Sequence, residues 1–398
     1  MDNVLEGKNI ILGVSGGIAA YKSLELLRLF TKAGARVRVI MTRNARSFVG
    51  PASFEALSGR SVCTDLFERS DDAGIRHIEW AAGADLVVVA PATANIIGKI
   101  ANGLADDALS TFLLAVTCPV MICPSMNTHM YENRAVQHNI ARLKEIGYRV
   151  VTPSAGALAC GTTGPGRLPE PESILETAIW ELTPKDLTGK RVLVTAGPTW
   201  EPIDPVRFIT NPSTGKMGFA VARAAACRGA DVLLISGPSA LEDPLNVRVL
   251  RVQTAEEMGD AVIKHFPAFD IVVKTAAVSD WAPVERFDQK IKKTKEDRML
   301  HLRPTMDILK EIGRRKKNQI LVGFAAETEN LKENAQRKLT EKNLDLLLGN
   351  PIGNPDSGFA ADTNTATLFY KDGTVEPLPT MKKSALAHLL LDRIIQRL

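Results

Sequence analysis

The chain begins the same structure twice. Residues 5–16 and 187–197 each have a Gly-Lys entry (Gly7-Lys8, Gly189-Lys190), a continuous apolar run and a turn of small residues. An uninterrupted apolar run that ends in glycine and leads into a helical pattern is the opening strand of a parallel α/β sheet, buried on both faces. Two such openings predict two α/β domains with mainly parallel sheets, and the second opening puts the boundary at Gly189: domains 1–189 and 190–398. The length of 398 residues agrees, because a single hydrophobic core rarely extends that far.

Composition narrows the class. No run approaches the roughly 20 apolar residues of a membrane span, and residues 1–7 carry two acids and no apolar stretch of the signal-peptide kind. The net charge of +4 is small for this length and points to anionic small molecules rather than a nucleic-acid surface. Five scattered cysteines without a Cys-x-x-Cys pair argue for a reducing cytoplasm and against a disulfide frame or zinc site.

In the first half, strand Ile10–Val14 turns at Gly16-Gly17 into an amphipathic helix, Ile18–Ala33, capped by Gly34 and followed by strand Arg36–Met41. Backbone N–H groups at such a turn face an anion at the helix N-terminus; a tight turn without ligand is the alternative. The nicotinamide fingerprint Gly-x-Gly-x-x-Gly is absent, and Thr42 replaces the acid expected after the second strand. Hydroxyls at Ser15 and Thr42 suit a terminal phosphate better.

Strand Asp85–Ala90 runs into Pro91-Ala92-Thr93-Ala94-Asn95, and strand Val120–Cys123 into Pro124-Ser125-Met126-Asn127. Small and amide residues at the carboxyl ends of parallel strands lie where such sheets bind ligands. Asn127 offers two donors and one acceptor there, or simply holds a turn. His77, just before the third strand, is either structural or catalytic. The other histidines have no metal-type spacing, and no metal ligands are assigned. Residues 155–167 contain four glycines around Cys160 and read as a mobile lid carrying a thiol.

The second half repeats the plan. A long Pro-rich loop, Gly197–Ile209, precedes Thr210-Asn211-Pro212-Ser213-Thr214-Gly215-Lys216-Met217-Gly218. This is not a P-loop, because Thr210 stands for its first glycine and Met217 for its Ser/Thr, yet it opens a helix whose N-terminus suits phosphate. Strand Asp270–Ala276 leads to Asp280, a candidate ribose or metal-shell group, and then to a loop of lysines, Lys290 to Lys295. A flexible arm of this kind suits a triphosphate. Strands Leu321–Ala326 and Leu344–Leu348, a hairpin-like edge at 358–369 and a helix at 382–397 complete the half.

Taken in order, Ser15 to Lys22, His77, Pro91 to Asn95, Pro124 to Asn127 and Ala159-Cys160-Gly161 resemble the flavin-containing cysteine decarboxylases. Ile209 to Gly218, Ala277 to Trp281, Lys290 to Lys293 and Gly323 to Thr328 resemble the phosphopantothenate–cysteine ligases. Both halves together resemble the bifunctional phosphopantothenoylcysteine decarboxylase/phosphopantothenate–cysteine ligase family of coenzyme A synthesis. The resemblance implies a flavodoxin-like flavoprotein domain followed by a Rossmann-like ligase domain. It implies FMN held by Ser15, Gly16, Gly17, Thr42, Pro91, Ala92, Thr93 and Asn95, with His77, Asn127 and Cys160 catalytic; Asn127 grips the substrate carboxylate and Cys160 donates a proton. It further implies a CTP- and magnesium-dependent ligase with Lys290 and Asn211 catalytic. Its nucleotide site comprises Asp280, Lys290, Pro304, Thr305, Met306, Asp307, Phe324, Lys338 and Lys342. Trimeric flavin domains and dimeric ligase domains give a homo-oligomer, a dodecamer in full-length enzymes. A nicotinamide-dependent reductase is opposed by both failed glycine fingerprints, and a flavin-binding regulatory protein would not need His77, Asn127 and Cys160 together. A flavin prenyltransferase relative would lack the second half.

Overall fold

A computed structural model describes residues 4–65, 76–157, 163–293, 299–327, 330–351 and 361–398; at 76–77, 157, 326–327 and 351 the backbone alone is described. The chain divides into two compact units, Met1–Thr183 and Pro184–Leu398. Residues 184–189, assigned to the first half from the sequence, therefore pack with the second. Leu187 is buried in the second core, and Asp186 forms an ion pair with Arg228.

The first unit is a five-stranded parallel sheet. Its strands are β1 (Asn9–Val14), β2 (Arg36–Met41), β3 (Leu86–Ala92), β4 (Val120–Pro124) and β5 (Arg149–Val150), in the order β2-β1-β3-β4-β5. This is the 2-1-3-4-5 order of doubly wound flavodoxin-like sheets. Strand side chains alternate between two apolar layers. Ile10, Leu12 and Val14 meet Leu26, Leu27 and Phe30 of helix Lys22–Lys32 and Ile174 and Ala178 of helix Pro171–Leu182. Ile11, Val87 and Val89 meet Ile96, Ile97 and Ile100 of helix Ala94–Ala101 and Leu109 and Phe112 of helix Ala108–Ala115. Each such buried side chain contributes about 1.5–3 kcal/mol, which explains why every residue of β3 is buried. The first helix is shorter than expected: Ile18–Tyr21 is a 3-10 turn, and the α-helix starts at Lys22.

The glycine-rich segment 155–167 is not a loose lid where it is described. β6 (Ser154–Ala157) and β7 (Thr163–Arg167) form an antiparallel hairpin. Its glycines serve close approach: a Cβ on Gly166 would lie 2.3 Å from the Met126 carbonyl oxygen, and one on Gly164 would lie 2.7 Å from the Thr128 side chain.

The second unit is built on β8 (Arg191–Ala196). A hairpin of β9 (Trp200–Pro202) and β10 (Phe208–Thr210) occupies what the sequence presents as an irregular Pro-rich loop. β11 (Asp231–Ser236), β12 (Val247–Arg251) and β13 (Ile271–Lys274) follow. A second hairpin pairs β14 (Trp281–Pro283) with β15 (Leu302–Pro304). β16 (Ile320–Glu327), β17 (Leu346–Pro351), β18 (Thr363–Asn364), β19 (Thr367–Tyr370), β20 (Val375–Pro377) and β21 (Met381–Lys382) complete the unit. The main sheet runs β12-β11-β8-β13-β16-β17-β19-β20. It is parallel through β17; β19 and β20 add an antiparallel edge, later in the chain than the edge expected at 358–369. Helices Lys216–Cys227 and Lys383–Ile395 cover one face, and Ala255–His265, Ile308–Arg315 and Leu331–Glu341 the other. The small residues of helix Lys216–Cys227 let it lie close to the sheet: a Cβ on Gly218 would be 2.5 Å from both Ala196 Cβ and Thr275 Oγ1.

Candidate functional sites

In the first unit, the carboxyl ends of β1, β3 and β4 open into a cavity of about 760 Å³. Ser15, Gly16, Gly17, Thr42, Thr93, Asn95 and Asn127 all line it. Ser15 is the organising side chain. Its hydroxyl donates to the Pro91 carbonyl (2.7 Å) and accepts the Thr93 N–H (3.0 Å), fixing the β1 turn to the β3 turn. Thr93 in turn caps helix Ala94–Ala101 through the Ile96 N–H. Gly16 is required by the protein itself, since a Cβ there would lie 2.4 Å from Asn44 Cβ and 2.7 Å from its backbone carbon.

Pro91 and Ala92 do not line the cavity. They act through their carbonyls, Pro91 on Ser15 and Ala92 on the Ser125 N–H (2.9 Å). Asn127 serves as a helix cap, its Oδ1 accepting the His129 N–H at 2.9 Å, while its side chain also faces the cavity. The turn reading and the ligand-facing reading are thus compatible. Sequence reasoning passed over Arg43, Asn44, Lys99, Asp107 and Arg167, which also line the wall. Burial pulls the Lys99 ammonium down, but the carboxylates of Asp106 (2.6 Å) and Asp107 (2.7 Å) outweigh it and leave its pKa raised. Nothing local in the sequence singles out this cation. His77 falls in the first turn of helix Arg76–Gly83, but its side chain is not described, and Cys160 lies outside the described residues.

In the second unit, Asn211, Asp280, Asp307, Lys338 and Lys342 gather near the carboxyl end of β13. Three glycines bring backbones together there. Gly215 (φ +82°) precedes helix Lys216–Cys227 and would place a Cβ 3.1 Å from the Gly197 nitrogen; Gly197 (φ +77°) in turn lies against Gly237. Asn211 donates through its Nδ2 to the carbonyls of Ala277 (3.2 Å) and Val278 (3.1 Å). Both of its donor hydrogens are therefore committed to the backbone, which leaves Oδ1 as the atom suited to an incoming donor.

The β14–β15 hairpin sets Asp280 beside the 304–307 turn. Thr305 N–H donates to the Asp280 carbonyl (2.9 Å), and Thr305 Oγ1 donates to the Ser279 carbonyl (2.6 Å). Asp307 caps helix Ile308–Arg315 and forms an ion pair with Lys342 at 2.9 Å. Lys338 lies in the last turn of helix Leu331–Glu341, and Lys342 is its C-cap. Met306 lies over Gly259, and Phe324 is partly buried against the sheet core. Lys290 is exposed, and the backbone beside it is held: the Ile291 N–H donates to Asp204 Oδ2 (3.2 Å), and its carbonyl accepts from Arg207 (3.1 Å); the rest of the expected arm, from residue 294, lies outside the described residues.

Lys274 was not foreseen. It ends β13, opposite Gly323 of β16, and is half-buried. Burial and the nearby Lys342 and Lys338 push its pKa down to about 8, against the pull of Asp307 and Asp280. A lysine at the end of an apolar strand looks like a solvent-facing terminus until the four groups around it are assembled. Among the described residues no cluster of three His, Cys, Asp or Glu side chains could hold a metal, and no helix is long and apolar enough to cross a membrane.

Residues 2–182 match the family described as Flavoprotein, and residues 187–398 the family described as DNA/pantothenate metabolism flavoprotein C-terminal domain. The chain is 51% identical over 395 residues to the coenzyme A biosynthesis bifunctional protein CoaBC of Bacillus subtilis, covering 98% of this chain and 97% of that protein. It is 44% identical over 398 residues to the Escherichia coli protein of the same name, covering 99% and 98%. Among solved structures, the C-terminal domain of a CoaBC protein is 43% identical (TM-score 0.47), covering 54% of this chain and 97% of that one. The FMN-dependent cysteine decarboxylase SpaF is 35% identical (TM-score 0.39), covering 44% and 96%. With relatives aligned end to end at this identity, and one family match on each half, the chain belongs to the family of coenzyme A biosynthesis bifunctional proteins and is an enzyme with decarboxylase and ligase activities.

Proposed function

We propose that the second unit, a Rossmann-like ligase domain, joins cysteine to 4'-phosphopantothenate at the expense of CTP, and that the first decarboxylates the product to 4'-phosphopantetheine with FMN. One observation carries the flavin assignment. Four separate segments, at Ser15–Gly17, Thr42, Thr93–Asn95 and Asn127, meet at one cavity of a size that takes a flavin nucleotide. Its chemistry suits the group. Hydroxyls and backbone N–H groups at the β1 and β3 turns fit a phosphate, and Ile18, Ile96, Met126, Met130 and Leu168 fit a flat ring.

Bound FMN would supply a two-electron couple that oxidises the substrate thiol and later returns the electrons. Asn127, oriented by its bond to the His129 N–H, would hold the substrate carboxylate. His77 would act as the active-site base, and Cys160 would donate the final proton; a thiol with a reference pKa of about 8.5 carries that proton at neutral pH.

In the ligase reaction the phosphopantothenate carboxylate attacks the α-phosphate of CTP, giving an acyl-cytidylate and pyrophosphate. The cysteine amine then displaces CMP. Lys290 would stabilise the charge growing on the α-phosphate. Asn211 Oδ1 would accept an N–H of the incoming amine, because its Nδ2 already holds the 277–278 backbone. Asp280, the 304–307 turn, Phe324, Lys338 and Lys342 would frame the nucleotide. The described residues do not form a protein cage for magnesium, so the ion would arrive with the triphosphate, as is common for this metal. Exposed Ile18, Tyr21 and Met130 at the cavity mouth support a homo-oligomer that covers them, with a dodecamer the proposed assembly. A cytoplasmic setting is proposed on the same reading.

Mass analysis after mixing the protein with phosphopantothenate, cysteine, CTP and magnesium tests the whole proposal. The expected result is phosphopantetheine, CMP and pyrophosphate from a yellow protein; a colourless protein that forms no phosphopantothenoylcysteine would refute it.

A further inference from the structure

We propose that Asp204 is a positioning residue for the ligase reaction: its buried carboxylate anchors the backbone of the loop that carries Lys290. The proposal rests on the role given to Lys290 above.

Asp204 is only 2% exposed, in the turn between β9 and β10. An unpaired carboxylate in that setting is costly, so its partners reveal its purpose. Oδ1 accepts the N–H groups of Val206 and Arg207, each at 2.8 Å, and these two bonds are enough to hold the turn. Oδ2 accepts the N–H of Ile291, 87 residues away, at 3.2 Å, and lies 3.7 Å from Arg207 Nη1, whose guanidinium also reaches the Ile291 carbonyl. Two further bonds join the same partners: the Ile291 carbonyl accepts from Arg207 Nη2 (3.1 Å), and Phe287 N–H donates to the Ile203 carbonyl (2.9 Å).

The hairpin that bears Asp204 is itself held. Trp200 stacks on Phe208 at 4.2 Å, Trp200 N–H donates to the Gln253 carbonyl (2.8 Å), and buried Glu201 accepts the Ala255 N–H (2.9 Å). Lys290, directly before Ile291, thus projects from a backbone bonded on its C-terminal side to a fixed hairpin. A held ammonium needs little reorganisation when phosphate charge develops, whereas one on a free loop would have to be ordered at each turnover. The turn alone would be served by Asn, which keeps one acceptor; the carboxylate is needed because its second oxygen faces the Ile291 donor.

Asp204→Asn is therefore the informative change. It keeps an acceptor for the turn and sets an N–H₂ group against the Ile291 N–H. In the full-length protein, native-state trypsin should cut after Lys290, Lys292 and Lys293 about 10-fold faster, the factor expected for losing one charge-assisted hydrogen bond. The rate constant for pyrophosphate release should fall by about the same factor with KM for CTP little changed, as befits a group that acts only in the transition state. Decarboxylation of supplied phosphopantothenoylcysteine should not change. Unaltered proteolysis, or a KM rise with kcat intact, overturns the proposal. Lys290→Gln run in parallel separates it from the reading beneath it. An inactive Lys290→Gln beside a normal Asp204→Asn removes the anchor alone, while an active Lys290→Gln removes the Lys290 role. Should Asp204→Asn not fold, Ile291→Pro deletes the same donor and leaves the hairpin residues unchanged, with proteolysis then read after Lys292 and Lys293, since trypsin does not cut before proline.

Discussion

The two units use one construction, parallel strands with ligand-type turns at their carboxyl ends, and complete it differently. In the first, short turns after β1, β3 and β4 stand side by side and enclose one cavity, braced by Ser15 at its centre. In the second, long insertions after β8 and β13 fold into the β9–β10 and β14–β15 hairpins; Asn211, Asp280 and the 304–307 turn lie at their ends and Lys290 on the loop between β14 and β15, while Phe324, Lys338 and Lys342 come from β16 and from the helix after it. Cofactor chemistry asks for a walled, preformed site, and the first unit has one. The two-step transfer proposed for the second, which admits two further substrates and releases three products, asks for open ends held at a few points.

The sharpest way to break this comparison is a crossed pair of variants. His77→Asn should lower decarboxylation by about 10²–10⁴-fold, the usual range for a general base, and leave pyrophosphate release intact. Lys290→Gln should do the reverse. Assaying both half-activities on each protein checks it, and a variant that loses both would show that the sites are not independent.

A pair of glycine variants compares how the two sites are held. Gly16→Ala pushes a methyl into Asn44, and Gly215→Ala puts one 3.1 Å from the Gly197 nitrogen on a backbone at φ +82°. Each should cost about 1–3 kcal/mol. The first should purify without the 450 nm absorbance that flavin gives (about that wavelength for any bound flavin) yet retain ligase activity; the second should remain yellow and lose ligase activity. Flavin retained at full occupancy in Gly16→Ala would show that the β1 turn is not the site's critical approach.

A smaller effect concerns pH. Lys274, held near 8, should lose its charge as pH rises through that value, whereas an ordinary lysine would keep it. KM for CTP is expected to rise between pH 7 and 9 by up to about 10-fold, and Lys274→Met should flatten the profile. A profile that Lys274→Met leaves unchanged would remove this residue from the nucleotide site.

The smallest effect is on stability. Arg393 holds the Glu376 carboxyl down near 2, with a further bond from Tyr370 outweighing the cost of burial. The folded protein thus binds this proton later than the unfolded chain does, so the bond stabilises above about pH 4.5 and the contribution fades as pH falls toward 2. Glu376→Gln should cost about 1 kcal/mol at pH 7, given the partial exposure of the pair, and the difference should shrink in acid. A denaturation series that places the loss in the flavin-binding transition would contradict the assignment of this pair to the second unit.

Legibility followed the range of the interactions. β1, β3, β8 and β16 were readable as apolar runs because strands buried on both faces must be apolar throughout. Ser15, Gly16, Gly17, Thr42, Thr93, Asn95 and Asn127 were readable because strand-end position alone assigns them to one rim. The β9–β10 and β14–β15 hairpins were not, since strands of three residues, three of the four ending in proline, carry no usable alternation. The lid reading of 155–167 does not hold at 163–167, where glycine in sequence suggests freedom but Gly164 and Gly166 pack closely against Thr128 and Met126; its centre at Cys160 lies outside the described residues.

What the sequence by itself determined was the doubling of the fold and the strand ends that bear the sites, because apolar runs and turn residues act over a few neighbours. What only the tertiary structure decided was the state of particular polar groups: Asn211 with both donors spent, Lys274 held near 8, and Lys290 projecting from an anchored backbone. Apart from Asp280, close to Lys274 in the chain, the deciding partners lie from about 30 to almost 90 residues away, and desolvation and hydrogen bonding depend on what surrounds a group in space, which no local pattern of residues records.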